Sequence, residues 1–129
     1  MIINAEELRI GNLVNVFLGV GDNGPEYKNV EVHGIMKAVN RYNFYTINHN
    51  GEEYSIEFLN NFEPIILTKE WILKLGFKKF CNDYTKKGII LHTRKRGFII
   101  KKSVPQMNYV HQLQNLYFAL TGEELIKKN

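Results

Sequence analysis

The fifteen residues Gly88-Ile-Ile-Leu-His-Thr-Arg94-Lys95-Arg96-Gly97-Phe-Ile-Ile-Lys-Lys102 decide how this chain is read. Two apolar, β-branched runs flank Arg94-Lys-Arg-Gly97, the pattern of a β-hairpin. A four-residue loop sets Leu91 opposite Ile100 and Thr93 opposite Phe98. Ile90 and Ile99 then face the other way, so cover is expected on both faces. Pro105 ends the element. The same stretch holds the densest positive charge in the chain. Residues 78–102 carry nine bases against Asp83 alone, whereas residues 1–63 carry four bases against nine acids. A one-signed surface attracts a one-signed partner, and this split says more about partners than the total of +4.

Toward the C-terminus, Tyr109–Leu120 reads as the main helix. Val110, Leu113, Leu116, Tyr117 and Leu120 recur at three- and four-residue spacing, an apolar stripe that leaves His111, Gln112, Gln114 and Asn115 off it. Gly122 is the expected stop. Toward the N-terminus, Thr68 is a candidate N-cap for a short helix over Lys69–Leu75 that buries Trp71, Ile72 and Leu75, with Gly76 at its C′ position. Phe77–Cys81 is read as a strand and Asp83–Gly88 as a turn.

The first half reads as strands. Asn12–Gly19 alternates, Gly19–Pro25 is a loop, and Tyr27–Val39 is one long strand with a bulge expected at Gly34. Asn50-Gly51 has the composition of a two-residue type I′ turn. Closing it pairs Ile47 with Tyr54 and Tyr45 with Ile56, Thr46 with Ser55, and Asn48 with Glu53. A helical turn is expected over Ala5–Leu8, capped by Asn4. The fold class is therefore α+β: an N-terminal SH3-like small β-barrel or meander, a short helix, a second hairpin and a C-terminal amphipathic helix. Residues 1–129 are expected to form a single domain, an acidic β-rich half (1–63) with a basic mixed half (64–129) packed on it.

Length and composition suit one ordinary globular domain of 129 residues. Cys81 is the sole cysteine, so no intramolecular disulfide forms. The start Met1-Ile-Ile-Asn-Ala-Glu-Glu7 lacks the basic and apolar regions of a signal peptide, and no apolar run reaches membrane-span length. A cytoplasmic location is the expectation.

Candidate chemistry is sparse. One cysteine excludes cysteine-pair zinc motifs, and His33, His49, His92 and His111 lack ligand spacing, so no metal is expected. Gly19-Val-Gly-Asp-Asn-Gly24 spells Gly-x-Gly-x-x-Gly, but Pro25 and a strand follow where a helix must receive the pyrophosphate. It reads as a turn, and no cofactor is expected. Cys81 has no histidine signature around it and reads as a half-buried structural thiol. His92 and His111 are the one pair available for metal-independent ribonuclease chemistry, which requires both within reach of the substrate.

The basic hairpin offers Lys86, Lys87, Arg94, Lys95, Arg96, Lys101 and Lys102 to phosphates, with Tyr84 and Phe98 as candidates for stacking on a base. The bland alternative is a solvated turn whose charges keep an edge strand from pairing. His111, Gln112, Gln114 and Asn115 are the second candidate surface, a polar partner face. Capping of neighbouring backbone groups is the favoured reading of those amides.

Tyr109-Val-His-Gln-Leu-Gln-Asn-Leu-Tyr-Phe-Ala-Leu-Thr-Gly-Glu-Glu-Leu125, with Leu8-Arg-Ile-Gly-Asn12 and Pro64-Ile-Ile-Leu-Thr-Lys-Glu-Trp-Ile-Leu-Lys-Leu-Gly-Phe77, resembles a family of short uncharacterised proteins of the Bacteroidota, their phages and prophages. The C-terminal block is the specific one. The resemblance implies a mobile-element setting and carries over no activity or binding residue. The expected function is a non-enzymatic phage or mobile-element protein that engages nucleic acid, RNA in preference to DNA, or a nucleoprotein. Its concrete form is an inhibitor of a host defence nuclease of the anti-CRISPR type. The alternatives are a homo-oligomeric assembly protein with no nucleic-acid role and a small ribonuclease using His92 and His111.

Overall fold

The computed structural model describes residues 7–32, 34–38, 41–47, 53–56, 62–95, 97–100 and 106–127, with the backbone alone for the strands between 34 and 56. The chain divides into two compact units, Met1–Ile65 and Ile66–Asn129. The charge split follows the same boundary: four bases against nine acids in the first unit, thirteen against four in the second.

In the first unit, β1 (Leu13–Gly21) and β2 (Gly24–Glu31) form an antiparallel hairpin around Asp22-Asn23. The expected loop over Gly19–Pro25 is thus mostly strand, because Gly21 pairs with Gly24 across a two-residue turn. This also disposes of the Gly-x-Gly-x-x-Gly spelling: strand follows strand, with no helix to meet a pyrophosphate. Alternation gives the hairpin one buried and one open face. Val14, Val16 and Val30 are buried with Leu8, Val32 and Ile65. On the other face Asn29 donates to Asn15, and Phe17 and Tyr27 meet at 5.5 Å between ring centres. The register shifts between Phe17 and Gly19, and Gly19 takes φ 124° there. The bulge therefore lies in β1 and not at Gly34. Val32 separates β2 from β3 (Gly34–Ala38), so the expected long strand is two strands.

β3, β4 (Arg41–Ile47) and β5 (Glu53–Ile56) form a meander, while β6 (Phe62–Glu63) joins β1 to give the order β2-β1-β6. The described strands close no barrel: β2 and β3 belong to different sheets, so no single ladder curls round on itself. The β4–β5 register is Phe44 with Ile56, Tyr45 with Ser55, Thr46 with Tyr54 and Ile47 with Glu53. That is one residue from the expected pairing. Five residues, 48–52, lie between the last paired positions, whereas the expected register required a two-residue connection at Asn50-Gly51. Those five, and residues 4–6 of the helical turn expected over Ala5–Leu8 with its Asn4 cap, lie outside the described residues.

In the second unit, α1 (Lys69–Lys74) starts where Thr68 Oγ1 accepts the Trp71 N–H at 3.3 Å and stops at Leu75, with Gly76 at φ 93°. Trp71, Ile72 and Leu75 are buried as the spacing predicts. Strands β7 (Lys78–Phe80), β8 (Asp83–Lys86), β9 (Ile89–Arg94) and β10 (Gly97–Ile99) follow as a four-stranded antiparallel sheet in the order β10-β9-β8-β7. The β9–β10 register sets Thr93 against Phe98, as expected.

Asp83–Lys86 is a strand where a turn was expected. Two tight turns bracket it: Cys81-Asn82, with Cys81 at φ 54° and exposed where a half-buried thiol was expected, and Lys87-Gly88, at φ 47° and 80°. Polar Asp83 and Thr85 alternate with buried Tyr84, a half-buried pattern hidden by the surrounding polar residues. The hairpin is not covered on both faces: Ile89, Leu91 and Phe98 are buried but Ile90 is 46% exposed.

Phe98 and Met107 exchange backbone hydrogen bonds of 3.0 and 2.8 Å, tying the segment before the last helix to β10. Gly97 permits this approach, since a Cβ there would lie 2.5 Å from the Met107 carbonyl oxygen. Helix α2 (Val110–Thr121) ends at Gly122 in the left-handed region, φ 75°. Its buried residues are Val110, His111, Leu113, Gln114 and Tyr117, while Leu120 is 55% exposed. The buried face is thus rotated from the expected stripe. Val110, Leu113 and Tyr117 belong to both, but two polar residues replace Leu116 and Leu120.

Candidate nucleic-acid interface

The sheet of the second unit sorts the predicted basic residues into separate places. Lys86 and Lys87 sit at the β8–β9 turn, while Arg94 and Lys95 sit at the β9–β10 turn. β9 runs between them, so the two turns are at opposite ends of the sheet, roughly 16 Å apart at ~3.3 Å per residue. One projecting element does not gather them. Arg96, Lys101 and Lys102 lie outside the described residues.

At the first end the cations serve the fold. Lys86 Nζ donates to the Leu75 carbonyl at 3.0 Å and lies 5.5 Å from the centre of the Tyr117 ring. It thereby meets an end carbonyl of α1, where a cation is favoured. Lys87 Nζ pairs with Glu123 just beyond α2. The hydrogen bond to Glu123 raises the lysine above its usual range, and the same bond lowers the Glu123 carboxyl.

The second end is different. Arg94 and Lys95 are exposed, and Arg94 Nη1 donates to the adjacent Thr93 carbonyl at 3.0 Å. Beside them lies a cavity of about 250 Å³ lined by Lys69, Lys79, Asn82, Tyr84 and Thr93. Lys69 begins α1 and Lys79 is central in β7, so tertiary structure brings them to the β9–β10 turn from far along the sequence. Thr93 Oγ1 donates to the Asn82 carbonyl at 3.4 Å across this end. The nearby carboxylate of Asp83 is engaged by His92, with Nδ1 3.2 Å from Oδ1. Lys69, Lys79 and Asn82 are the members the sequence reading missed. No local pattern marks a lysine on a different element.

Neither aromatic candidate presents a free face for stacking. Tyr84 is 3% exposed and Phe98 5%, and their rings meet edge to face at 6.4 Å. They are core residues under the sheet end, although Tyr84 also reaches the cavity wall.

Of the four residues of the polar partner face on α2, two are buried, while Gln112 and Asn115 are half-buried. His111 and Gln114 are each 1% exposed. Gln114 Nε2 donates to the Leu125 carbonyl at 3.0 Å, and Gln112 Oε1 accepts from the Asn108 and Tyr109 backbone N–H groups. Gln112 and Gln114 thus satisfy backbone groups at the two ends of the helix, the favoured reading of these two amides. His111 stacks on Tyr109 at 5.8 Å.

The structure places the two histidines apart. His92 lines a different cavity with Leu120 and Thr121, at the far end of α2 from His111. Nine residues of helix at ~1.5 Å each separate Leu120 from His111, about 13 Å. Among the described residues, no group of three or more His, Cys, Asp or Glu gathers to hold a metal, and no helix is long and apolar enough to cross a membrane. No family model, curated protein or solved structure matches this chain.

Proposed function

We propose that this chain is a non-enzymatic binding protein that engages nucleic acid through the basic end of its four-stranded sheet. One observation carries the reading: exposed Arg94 and Lys95 stand beside a cavity whose described lining includes Lys69 and Lys79 and no carboxylate. Arginine forks onto phosphate oxygens, lysine supplies diffuse attraction, and a concave site adds direction to both. The second unit's thirteen bases against four acids supply the wider field that draws an anion toward it. In the mobile-element setting implied by the sequence resemblance, such a contact suits a protein that blocks a defence nuclease by occupying its RNA.

The test is anisotropy titration of a labelled single-stranded RNA at several salt concentrations. Four contacted phosphates give a log–log salt slope near −2.8, at about −0.7 each. Changing Arg94 and Lys95 together to Gln lowers the magnitude of that slope by about 1.4. An affinity independent of salt, or one indifferent to the double change, rejects the reading.

A further inference from the structure

We infer that the cavity beside the β9–β10 turn takes a terminal phosphomonoester of the nucleic acid, an end phosphate in preference to an internal one. The inference rests on the nucleic-acid reading and names the chemical group received at that site.

Charge points to the chain end. An internal diester carries one negative charge, whereas a terminal phosphate carries close to two at neutral pH. Lys69 and Lys79 both line the cavity and together carry two positive charges, matched to a dianion. Asn82 and Thr93 complete the lining, with the Thr93 hydroxyl donating to the Asn82 carbonyl, and the Tyr84 ring is packed against Phe98, which fixes that wall. About 250 Å³ has room for a phosphate together with part of the nucleoside that bears it. Arg94 and Lys95, immediately after Thr93, are placed to meet the phosphates that follow. Lys69 and Lys79 therefore set preference for the end, and Arg94 and Lys95 set general affinity.

The experiment titrates the full chain against one RNA sequence in three forms: 5′-phosphate, 3′-phosphate, and hydroxyl at both ends. A preference of about tenfold for one phosphorylated form over the hydroxyl form is expected, and it identifies which end is held. Lys69→Gln with Lys79→Gln abolishes that preference: whatever affinity the variant keeps for the hydroxyl RNA, the phosphorylated form binds it no more tightly. Arg94→Gln with Lys95→Gln weakens all three forms and preserves the ratio. Far-UV circular dichroism of each exposed-site variant checks that it is folded. Equal binding of all three forms overturns the inference and leaves the nucleic-acid reading standing. A preference that survives loss of both lysines also overturns it. Binding to none of the three removes the nucleic-acid reading and this inference together.

Discussion

Gln114 shows how one residue changes meaning between sequence and structure. An amide between apolar neighbours reads as surface, yet this one is buried and donates to the Leu125 carbonyl at 3.0 Å. That bond holds the chain after Gly122 against the helix, where Leu125 is fully buried. Gln114→Ala leaves a buried carbonyl without this donor, so a loss of about 2 kcal/mol is expected in urea denaturation. Lys86 makes the complementary point. It was grouped with phosphate-binding cations, but it serves the Leu75 carbonyl and the Tyr117 face. Lys86→Gln is expected to lower stability by about 1 kcal/mol while leaving RNA affinity within about twofold. Parallel denaturation and titration separate the two effects, and a large affinity loss at unchanged stability would return Lys86 to the interface.

At the scale of elements, the burial of α2 and the ties at its C-terminal end give checkable outcomes. Leu113 is fully buried and Leu120 is half exposed. Leu113→Ala is expected to cost about 3 kcal/mol and Leu120→Ala only about 0.5 kcal/mol, although the apolar stripe treats them alike. Equal losses would restore the face read from spacing. Lys87 and Glu123 link the β8–β9 turn to the end of α2. The Glu123 carboxyl is lowered below 4.5 by its hydrogen bond with Lys87. Its contribution is present above the unfolded value and disappears as pH falls through the lowered folded value. The Lys87 ammonium is raised above 10.5, so its contribution is present below that value and disappears as pH rises through the folded one. The difference in urea midpoint between wild type and Glu123→Gln should be flat across neutral pH and shrink at both extremes.

At the scale of the whole molecule, opposite charge resides on separate compact units, and the total of +4 conceals it. Counterion release counts the phosphates contacted, whereas the distant field mainly alters encounter rate. Asp22→Asn with Glu26→Gln, at the exposed β1–β2 turn of the acidic unit, changes the total charge by two. The RNA salt slope should stay the same, in contrast to the drop expected for Arg94 and Lys95. A matching change in slope would mean that net charge, and not the sheet end, governs binding.

Local chemistry was legible wherever a few adjacent residues suffice. Thr68 with Gly76 bounded α1, Gly122 stopped α2, and the Arg94–Gly97 turn fixed the β9–β10 register. These outcomes depend on capping, left-handed backbone and loop length, all properties of short segments. Where one strand ends and another begins depended on long-range pairing, so Asp83–Lys86 was missed and the β4–β5 register slipped by one residue. Only tertiary structure decided that His111 and Gln114 are buried, that Lys86 and Arg94 lie at opposite ends of the sheet, and that Lys69 and Lys79 share a cavity. The physical reason is common to all three. A polar side chain takes its role from the partners that distant segments bring to it, and spacing along one segment carries no record of them.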